Sequence, residues 1–462
     1  MNTNKEIPEK NIFKAYDIRG VVGKSLNDHS VIQIGKSIGS EALQKKQSDI
    51  CLGYDGRLSS PHIYNLLSKA LISTGINVIN IGLVTTPMLY FSTHQLKTKS
   101  GIMITGSHNP PEYNGFKIVI DEKTLSADDI QFLYQRIIKK EFLIGEGEIS
   151  NINIKSSYLE RIYSDIKLAR PIRIAIDCGN GSAGICAEEL YKGIGANVES
   201  LFCNIDGNFP NHHPDPSNLK NLNDLQKVLS NGDSELGLAF DGDGDRLGVV
   251  SKKGEVIYPD RQLLLFAEDV LKNNPGASVI FDVKSTRHLF SWIKDRGGLP
   301  IIWKTGHSLI KAKMKESKAI LAGEMSGHMF FNDRWYGFDD GLYAGARLIE
   351  ILSYFDNPSE ILESLPKGFS TPELNIKLNE GEQHSIIKVL QDKEKFHNAN
   401  EIIKIDGLRV EYDYGFGLMR ASNTTPVIVL RFEADSNKNL KSIQNEFKKI
   451  LENYIPKEKI PF

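Results

Sequence analysis

LGLAFDGDGDR, residues 236–246, runs from apolar residues into three carboxylates spaced two apart, with glycines between them and an arginine at the end. The apolar part predicts a buried β-strand, and the Gly-rich part a loop at its carboxyl end. In an extended chain Asp241, Asp243 and Asp245 would point the same way but spread over three pleats. Gly242 and Gly244 can adopt positive φ, and are expected to curl the carboxylates round one cation. Hard oxygen donors on a tight loop favour Mg²⁺, which keeps positions open for phosphate oxygens. An EF-hand calcium loop would need glycine at its sixth position and glutamate at its twelfth, where this chain has Arg246 and Lys252. A solvated acidic turn would not explain why glycine alternates strictly with aspartate after a core strand.

The plan around this loop occurs three times. ICLGYDG (50–56), IRIAIDCGN (172–180) and VIFDVKS (279–285) are apolar runs that each reach an aspartate and a turn, followed by a helix-sized segment. GINVINIG (75–82), GANVESLF (195–202) and GGLPIIWKTG (297–306) are Gly-led strands of the kind that follow a helix C-cap. A third strand in each module then meets a polar loop: GIMITGSHNP (101–110), LGLAFDGDGDR and AILAGEMSGH (319–328). The pattern is β-α-β written three times. Ligands of open α/β sheets sit outside the carboxyl ends of strands, so three such loops are expected to face one central cleft. Beyond LPKGFSTPE (365–373), the clearest linker, the pattern changes to strand ELNIKLN, a helix near 382–394, four strands, and a final helix near 437–454. An acidic, Gly-containing stretch at 145–153 and a helix at 157–169 separate the first two modules. The expected fold class is α/β, with three topologically similar α/β domains (1–153, 154–254, 255–366) and a C-terminal α+β domain (367–462).

Composition narrows the function. With 462 residues, one ordinary core is too few; 40% hydrophobic and 25% charged residues are those of a soluble globular protein. A formal charge of −2 argues against a nucleic-acid or membrane-surface partner, so any basic site must be local. The polar start MNTNKEIPEKN and the lack of about 18 consecutive apolar residues predict neither signal peptide nor membrane span. Cys51, Cys178, Cys186 and Cys203 form no CxxC pair and read as reduced packing residues of a cytoplasmic protein.

The other loops carry chemistry of their own. Ser107 in TGSHNP lacks the G-x-S-x-G elbow of serine hydrolases, since Thr105 and Asn109 flank it, and the adjacent His108 cannot be assumed to act as a triad base. A Ser/Asn turn is the plain alternative; beside a Mg²⁺ loop at the equivalent place of the next module, the hydroxyl fits a phosphoryl carrier. In GEMSGH (323–328), Glu324 can accept from two vicinal hydroxyls, Ser326 can donate or accept, and His328 can bind sugar or act as acid or base. RASNTTP (420–426) gathers Arg420, Ser422, Asn423, Thr424 and Thr425 with no acid, a donor set suited to a phosphate dianion. Tyr16, Arg19, Lys117, Arg246, Lys284 and His307 lie near these loops, and as a set would make one pocket positive. Gly179-Asn-Gly-Ser-Ala-Gly184 matches the dinucleotide fingerprint, with Glu199 twenty residues on, but Asp177 and Cys178 intervene after the strand and the equivalent turns lack such glycines. A tight turn into a helix accounts for it better.

Taken together and in order, TGSHNP, DGDGDR, GEMSGH and RASNTTP resemble the α-D-phosphohexomutase family over nearly the whole chain, from KAYDIRG onward. The resemblance implies a mutase acting on mannose or glucose 1- and 6-phosphates through a hexose 1,6-bisphosphate. It implies that Ser107 carries the phosphoryl group, and that Asp241, Asp243 and Asp245 bind Mg²⁺ together with the phosphoserine. Arg19, His108, Lys117, Arg246 and His328 complete the implied catalytic set. Tyr16, Arg246, Lys284, His307, Glu324, Ser326, His328 and the Arg420 loop are the implied substrate contacts. A small-molecule phosphosugar is the expected partner of a monomer. A phosphoglucosamine mutase would share the chemistry, but its sugar loop usually carries Gln where Met325 stands. A metal-dependent phosphatase or a silent sugar-phosphate-binding protein would not need all four loops intact.

Overall fold

The computed structural model describes residues 7–462 except 394 and 424, so the first six residues of the polar start lie outside it. In the first module, strand Asp49–Tyr54 lies between the parallel strands Asn77–Leu83 and Gly101–Ile104. Arg173–Asp177 lies likewise between Asn197–Leu201 and Leu236–Phe240, and Ser278–Asp282 between Leu299–Trp303 and Leu321–Gly323. The central strands are buried on both faces, which is why their sequences read as continuous apolar runs. A fourth strand then returns antiparallel to the third in every module: Tyr113–Ile120, Leu247–Ser251 and Met329–Phe331. Each polar loop is therefore the bend between a parallel strand and its antiparallel return, at the same end of each sheet.

The modules share a core. Helix Thr86–Gln95 starts at Thr85, whose hydroxyl accepts from Met88 N at 3.3 Å, with Pro87 in its first turn. It is buried from Thr86 to Thr93 because it packs on the first sheet while Phe91 packs on Tyr158 and Trp335, ring centroids 5.6 and 6.0 Å away. Burying one such side chain contributes about 1.5–3 kcal/mol. One apolar cluster thus runs through the first three domains, while the opposite face of the first sheet and the fourth domain have cores of their own.

The fourth domain contains strands Leu374–Lys377, Glu401–Ile403, Leu408–Tyr412, Gly415–Ala421 and Val427–Ala434, with helices Glu382–Lys393 and Asn437–Leu451. The expected end of the first of these helices, at 394, lies outside the described residues. Two sequence readings need correction. The stretch at 145–153, read only as an acidic run, contains a strand: Ile149–Asn151 adds an edge to the first sheet beside Asn77–Leu83, and the helix expected at 157–169 runs Lys155–Asp165. Within the expected linker, Phe369–Ser370 pairs with the far end of Val427–Ala434. Both strands are short and exposed and so carry no hydrophobic alternation to read. No helix among the described residues is long and apolar enough to cross a membrane.

Candidate active site

The loop after Gly101–Ile104 places Ser107 in the left-handed region, at φ 48°, a conformation that costs a non-glycine residue about 1–2 kcal/mol. Arg57 holds it there. Its Nη2 donates to the carbonyls of Ser107 (2.7 Å) and Asn109 (2.6 Å), its Nη1 to those of Pro110 and Tyr113, and its Nε to Asp55 at 3.2 Å. A Cβ on Gly106 would come 2.4 Å from that guanidinium, so glycine is required beside the serine. Ser107 is 1% exposed; its hydroxyl lies 3.0 Å from Asp241 Oδ2, to which it donates, and 3.1 Å from His108 Nδ1. Arg19, on strand Ile18–Val21 opposite Gly115, donates to Asn109 Oδ1 and Asp17 Oδ2.

Asp241, Asp243 and Asp245 are fully buried and converge, with one oxygen from each inside a 4.8 Å group. Asp241 Oδ1 accepts from the amides of Asp245 and Arg246, closing the loop on itself. Asp243 accepts from Thr86 Oγ1 (2.5 Å) and Lys117 Nζ (2.7 Å), and Lys117 also donates to Asp245. The two glycines do different work from that expected. Gly244 has φ +76°, but Gly242 has no positive φ; it is glycine because a Cβ there would lie 2.3 Å from the Ser107 carbonyl oxygen. The serine and aspartate loops are thus in backbone contact.

Burial and its two neighbouring carboxylates push Asp241 well above the usual carboxylate range, while Lys117 holds Asp243 and Asp245 down against their burial. Asp243 Oδ1 accepts no hydrogen bond among the described residues, and Asp245 Oδ1 has only His328 Nε2 at 3.3 Å. Unsatisfied carboxylate oxygens in a buried group of three fit a divalent cation with hard-ligand preference.

The third loop closes on the second. His328 Nδ1 lies 3.0 Å from Glu324 Oε2 and 3.1 Å from Ser326 Oγ, and Arg246 Nε lies 3.3 Å from His328 Nε2. Burial opposes charge on His328, but Asp245 and Glu324 outweigh it and lift the imidazole to about 9, so it is an imidazolium at neutral pH. His307, at the start of helix His307–Ser317, lies beside it with ring centroids 5.6 Å apart and the rings tilted by 33°. Burial and Lys311 push His307 well below its ordinary value, so the two histidines carry opposite protonation states.

The remaining predicted residues form a second group joined to the first through Glu324. Tyr16 donates to the Thr305 carbonyl at 2.8 Å and accepts from Asn423 Nδ2 at 2.5 Å, linking the first, third and fourth domains; burial raises its phenol to about 12. Glu324 accepts from Gly306 N, next to Thr305. Ser422 and Thr425 hydroxyls lie 3.0 Å apart within their hairpin. Thr424 lies outside the described residues. The motif has no acid of its own, but the fold brings one to it: Asp406, from a neighbouring turn, accepts from Arg420 Nε at 2.9 Å and from Thr305 N at 3.0 Å. Lys284 is likewise paired, with Glu373 Oε1 at 2.6 Å.

Comparison with known proteins matches all four parts of this architecture. Residues 10–143, 156–254, 258–369 and 373–450 match the phosphoglucomutase/phosphomannomutase alpha/beta/alpha domains I, II and III and C-terminal domain, respectively. The chain belongs to the phosphoglucomutase/phosphomannomutase family. It is 58% identical over 446 residues to the phosphoglucomutase of Neisseria gonorrhoeae, covering 96% of this chain and 97% of that protein. It is 50% identical over 452 residues to the phosphomannomutase/phosphoglucomutase of Pseudomonas aeruginosa, covering 98% and 97%. A crystal structure of a phosphoglucomutase/phosphomannomutase family protein from Burkholderia thailandensis superposes with a TM-score of 0.94 at 49% identity, covering 99% of this chain and all of that one.

Within this member of the phosphoglucomutase/phosphomannomutase family, several site residues carry no motif. Arg57, Thr86, Asp339, Glu373 and Asp406 pair with site residues from other elements, Asp339 Oδ1 accepting from Lys311 Nζ at 2.8 Å with its Oδ2 3.4 Å from His307 Nδ1. One signal was present: the aspartate that ends each module's first strand. Asp55 accepts from Gly106 N at 3.2 Å and Asp282 from Met325 N at 3.3 Å, so in two modules this residue holds the site loop. In the second module Asp177 instead holds His212, at 2.9 Å. The Gly179–Gly184 run is a tight turn into the 3₁₀ helix Ser182–Ile185, and its glycines face protein. Cβ atoms on Gly181 and Gly184 would meet the carbonyls of Gly242 and Cys203 at 2.9 and 2.1 Å.

Proposed function

We propose that this chain interconverts the 1- and 6-phosphates of mannose and glucose by passing the phosphoryl group through Ser107, with a hexose 1,6-bisphosphate between the two half-reactions. The observation that carries this reading is the 3.0 Å contact between Ser107 Oγ and Asp241 in a buried group that also contains Lys117, Arg246 and His328. Transfer to and from a serine by in-line displacement requires positioning and charge neutralisation more than covalent elaboration. Arg57 fixes the serine, while Arg246 and Lys117 supply positive charge within reach of it. Asp241, Asp243 and Asp245, together with a phosphate on Ser107, are the residues that would hold Mg²⁺, which when bound would offset charge on the transferring oxygens.

The protonated His328 can give a proton at Nδ1 or Nε2, while the neutral His307 beside it can accept one; these and Arg19, Lys117 and His108 make up the proton-handling set. Glu324 and Ser326 suit a vicinal hydroxyl pair. The group of Tyr16, Lys284, Arg420, Ser422, Asn423 and Thr425, with Thr424 by sequence, suits the phosphate that is not being transferred. Such a division fits an intermediate that must bind in both orientations, because sugar and distal phosphate are recognised apart from the transfer site. We take the enzyme to be a cytoplasmic monomer with domain limits at 1–153, 154–254, 255–366 and 367–462.

The test is a side-by-side assay on mannose 1-phosphate, glucose 1-phosphate and glucosamine 1-phosphate with a trace of hexose 1,6-bisphosphate. Comparable rates on the first two support this reading. A strong preference for the amino sugar would replace it with a phosphoglucosamine mutase.

A further inference from the structure

Two of the four cysteines are neighbours. Cys178 and Cys203 follow the adjacent parallel strands Arg173–Asp177 and Asn197–Leu201, and Cys178 N donates to the Leu201 carbonyl at 3.1 Å. Phe202, at φ 52°, turns its chain just before Cys203, and the two Sγ atoms lie 3.0 Å apart. In register Asp177 lies opposite Leu201, so Cys203 is one residue beyond the position opposite Cys178, and the turn at Phe202 brings its sulfur back against that of Cys178. A bond of about 2.05 Å therefore needs roughly 1 Å of further approach. Cys178 is buried, whereas Cys203 is partly exposed and within reach of a small oxidant. The thiol contact with Cys178 also lowers the Cys203 pKa, which favours the attacking thiolate there. Cys51 and Cys186 are buried, and no sulfur contact joins either to another cysteine.

We propose that Cys178 and Cys203 form a reversible disulfide that slows the enzyme under oxidising conditions. The Cys203 thiolate attacks a peroxide, taking one oxygen as a sulfenic acid and releasing water once protons are counted. The Cys178 sulfur then displaces that oxygen as a second water, so two thiols and one hydrogen peroxide give one disulfide and two waters. A dithiol reverses the bond. The position couples it to the site. On the Cys178 side, the turn through Gly181 carries Ser182, whose amide donates to the Gly242 carbonyl at 2.9 Å, inside the aspartate loop. On the Cys203 side, Asn204 accepts from Asn180 at 2.8 Å, and Gly207 packs so closely on Arg57 that a Cβ would meet its Cα at 2.9 Å. Drawing the two sulfurs together pulls on the supports of both the aspartate loop and Arg57.

The test treats the full chain with hydrogen peroxide, blocks free thiols, and reads mass, peptide linkage and turnover in parallel. We expect the loss of two hydrogens, two remaining thiols out of four, and a linked peptide pair containing Cys178 and Cys203. Turnover should fall about tenfold, less than a full misplacement of about 1 Å at the transfer site would cost, because the movement starts at the sulfurs and only part of it reaches the loops, and it should return with dithiothreitol. Cys203→Ser and Cys178→Ser should each prevent the linkage and the loss, while Cys51→Ser should behave as wild type. Four titratable thiols after treatment, or a linkage elsewhere, overturns the disulfide. A linked pair with unchanged turnover overturns its effect on the enzyme. The linkage readout does not depend on the proposed mutase reading; the activity readout rests on it, and untreated protein with no mutase activity would identify that failure separately.

Discussion

Gly242→Ala is the sharpest probe of the contact between the serine and aspartate loops. An alanine Cβ would start 2.3 Å from the Ser107 carbonyl oxygen, where real Cβ contacts stop near 3.0 Å, so the loops must part by about 0.7 Å. Neither side yields easily. The Ser107 carbonyl is held by Arg57 Nη2, and the aspartate loop by Ser182 N and its own amide bonds to Asp241. Because Gly242 has no positive φ, alanine adds no backbone strain, and the loss should come from displacement. A shift of this size at a transfer site costs on the order of 10²-fold in rate, or about 2.7 kcal/mol of transition-state stabilisation. The assay is kcat at saturating glucose 1-phosphate, with thermal unfolding alongside to separate rate from stability. Gly244→Ala is the contrast: its φ of +76° costs an alanine about 1–2 kcal/mol of stability, while its nearest contact, Thr85 Cγ2 at 3.2 Å, lies away from Ser107. If Gly242→Ala retains kcat within about threefold of wild type, the two loops are not held in the register argued here.

Ser107→Ala should abolish steady turnover and the acid-stable phosphate found by peptide mapping; phosphate elsewhere, or an active variant, contradicts the carrier role. Chelation with EDTA should stop turnover and Mg²⁺ restore it, and full activity in chelator would exclude the metal from the reaction. Arg57→Ala leaves Asp55 without its buried charge partner and removes the side-chain donor to four carbonyls, so a loss of about 3–5 kcal/mol is expected, read as a lowered urea midpoint. Arg57→Lys should spare more stability than turnover, since an ammonium cannot span the same acceptors. Asp340, buried between Tyr158 and the helix start at Tyr343, is raised mainly by burial from 3.8 to about 7. A carboxyl with a raised folded pKa gives its full stability below its unfolded pKa and loses it as pH rises through 7. Asp340→Asn should therefore gain on wild type by about 2–3 kcal/mol between pH 5 and pH 8. A gap in urea midpoints that does not change with pH would show that Asp340 is ionised throughout.

The first strands of the three modules were legible because each is an apolar run that reaches an aspartate, and the site loops because unusual polar residues follow the third strands at once. The antiparallel returns were harder to see. In Tyr113–Ile120 only Lys117 stands out in the sequence, since a strand buried on both faces has no alternation to mark it. Ser107, the three aspartates, Arg246, Glu324 and His328 lie in those loops, and the fold brings them together. What sequence could not supply was charge pairing across domains. Asp406, in a bend, and Glu373, just before a strand, are ordinary acids until folding places them against Arg420 and Lys284. The role of Gly242 was misread for a similar reason: glycine marks either a special φ or a close approach, and only the partner backbone distinguishes them.

Ser107 is 1% exposed. A phosphate stored there would be shielded from the one competing acceptor present at overwhelming concentration. The serine offers bulk water almost no surface in this arrangement, so leakage would occur mainly during openings that admit or release sugar. The enzyme would lose its charge in proportion to time spent open, not to time elapsed, and its demand for recharging by bisphosphate would rise with traffic through the cleft.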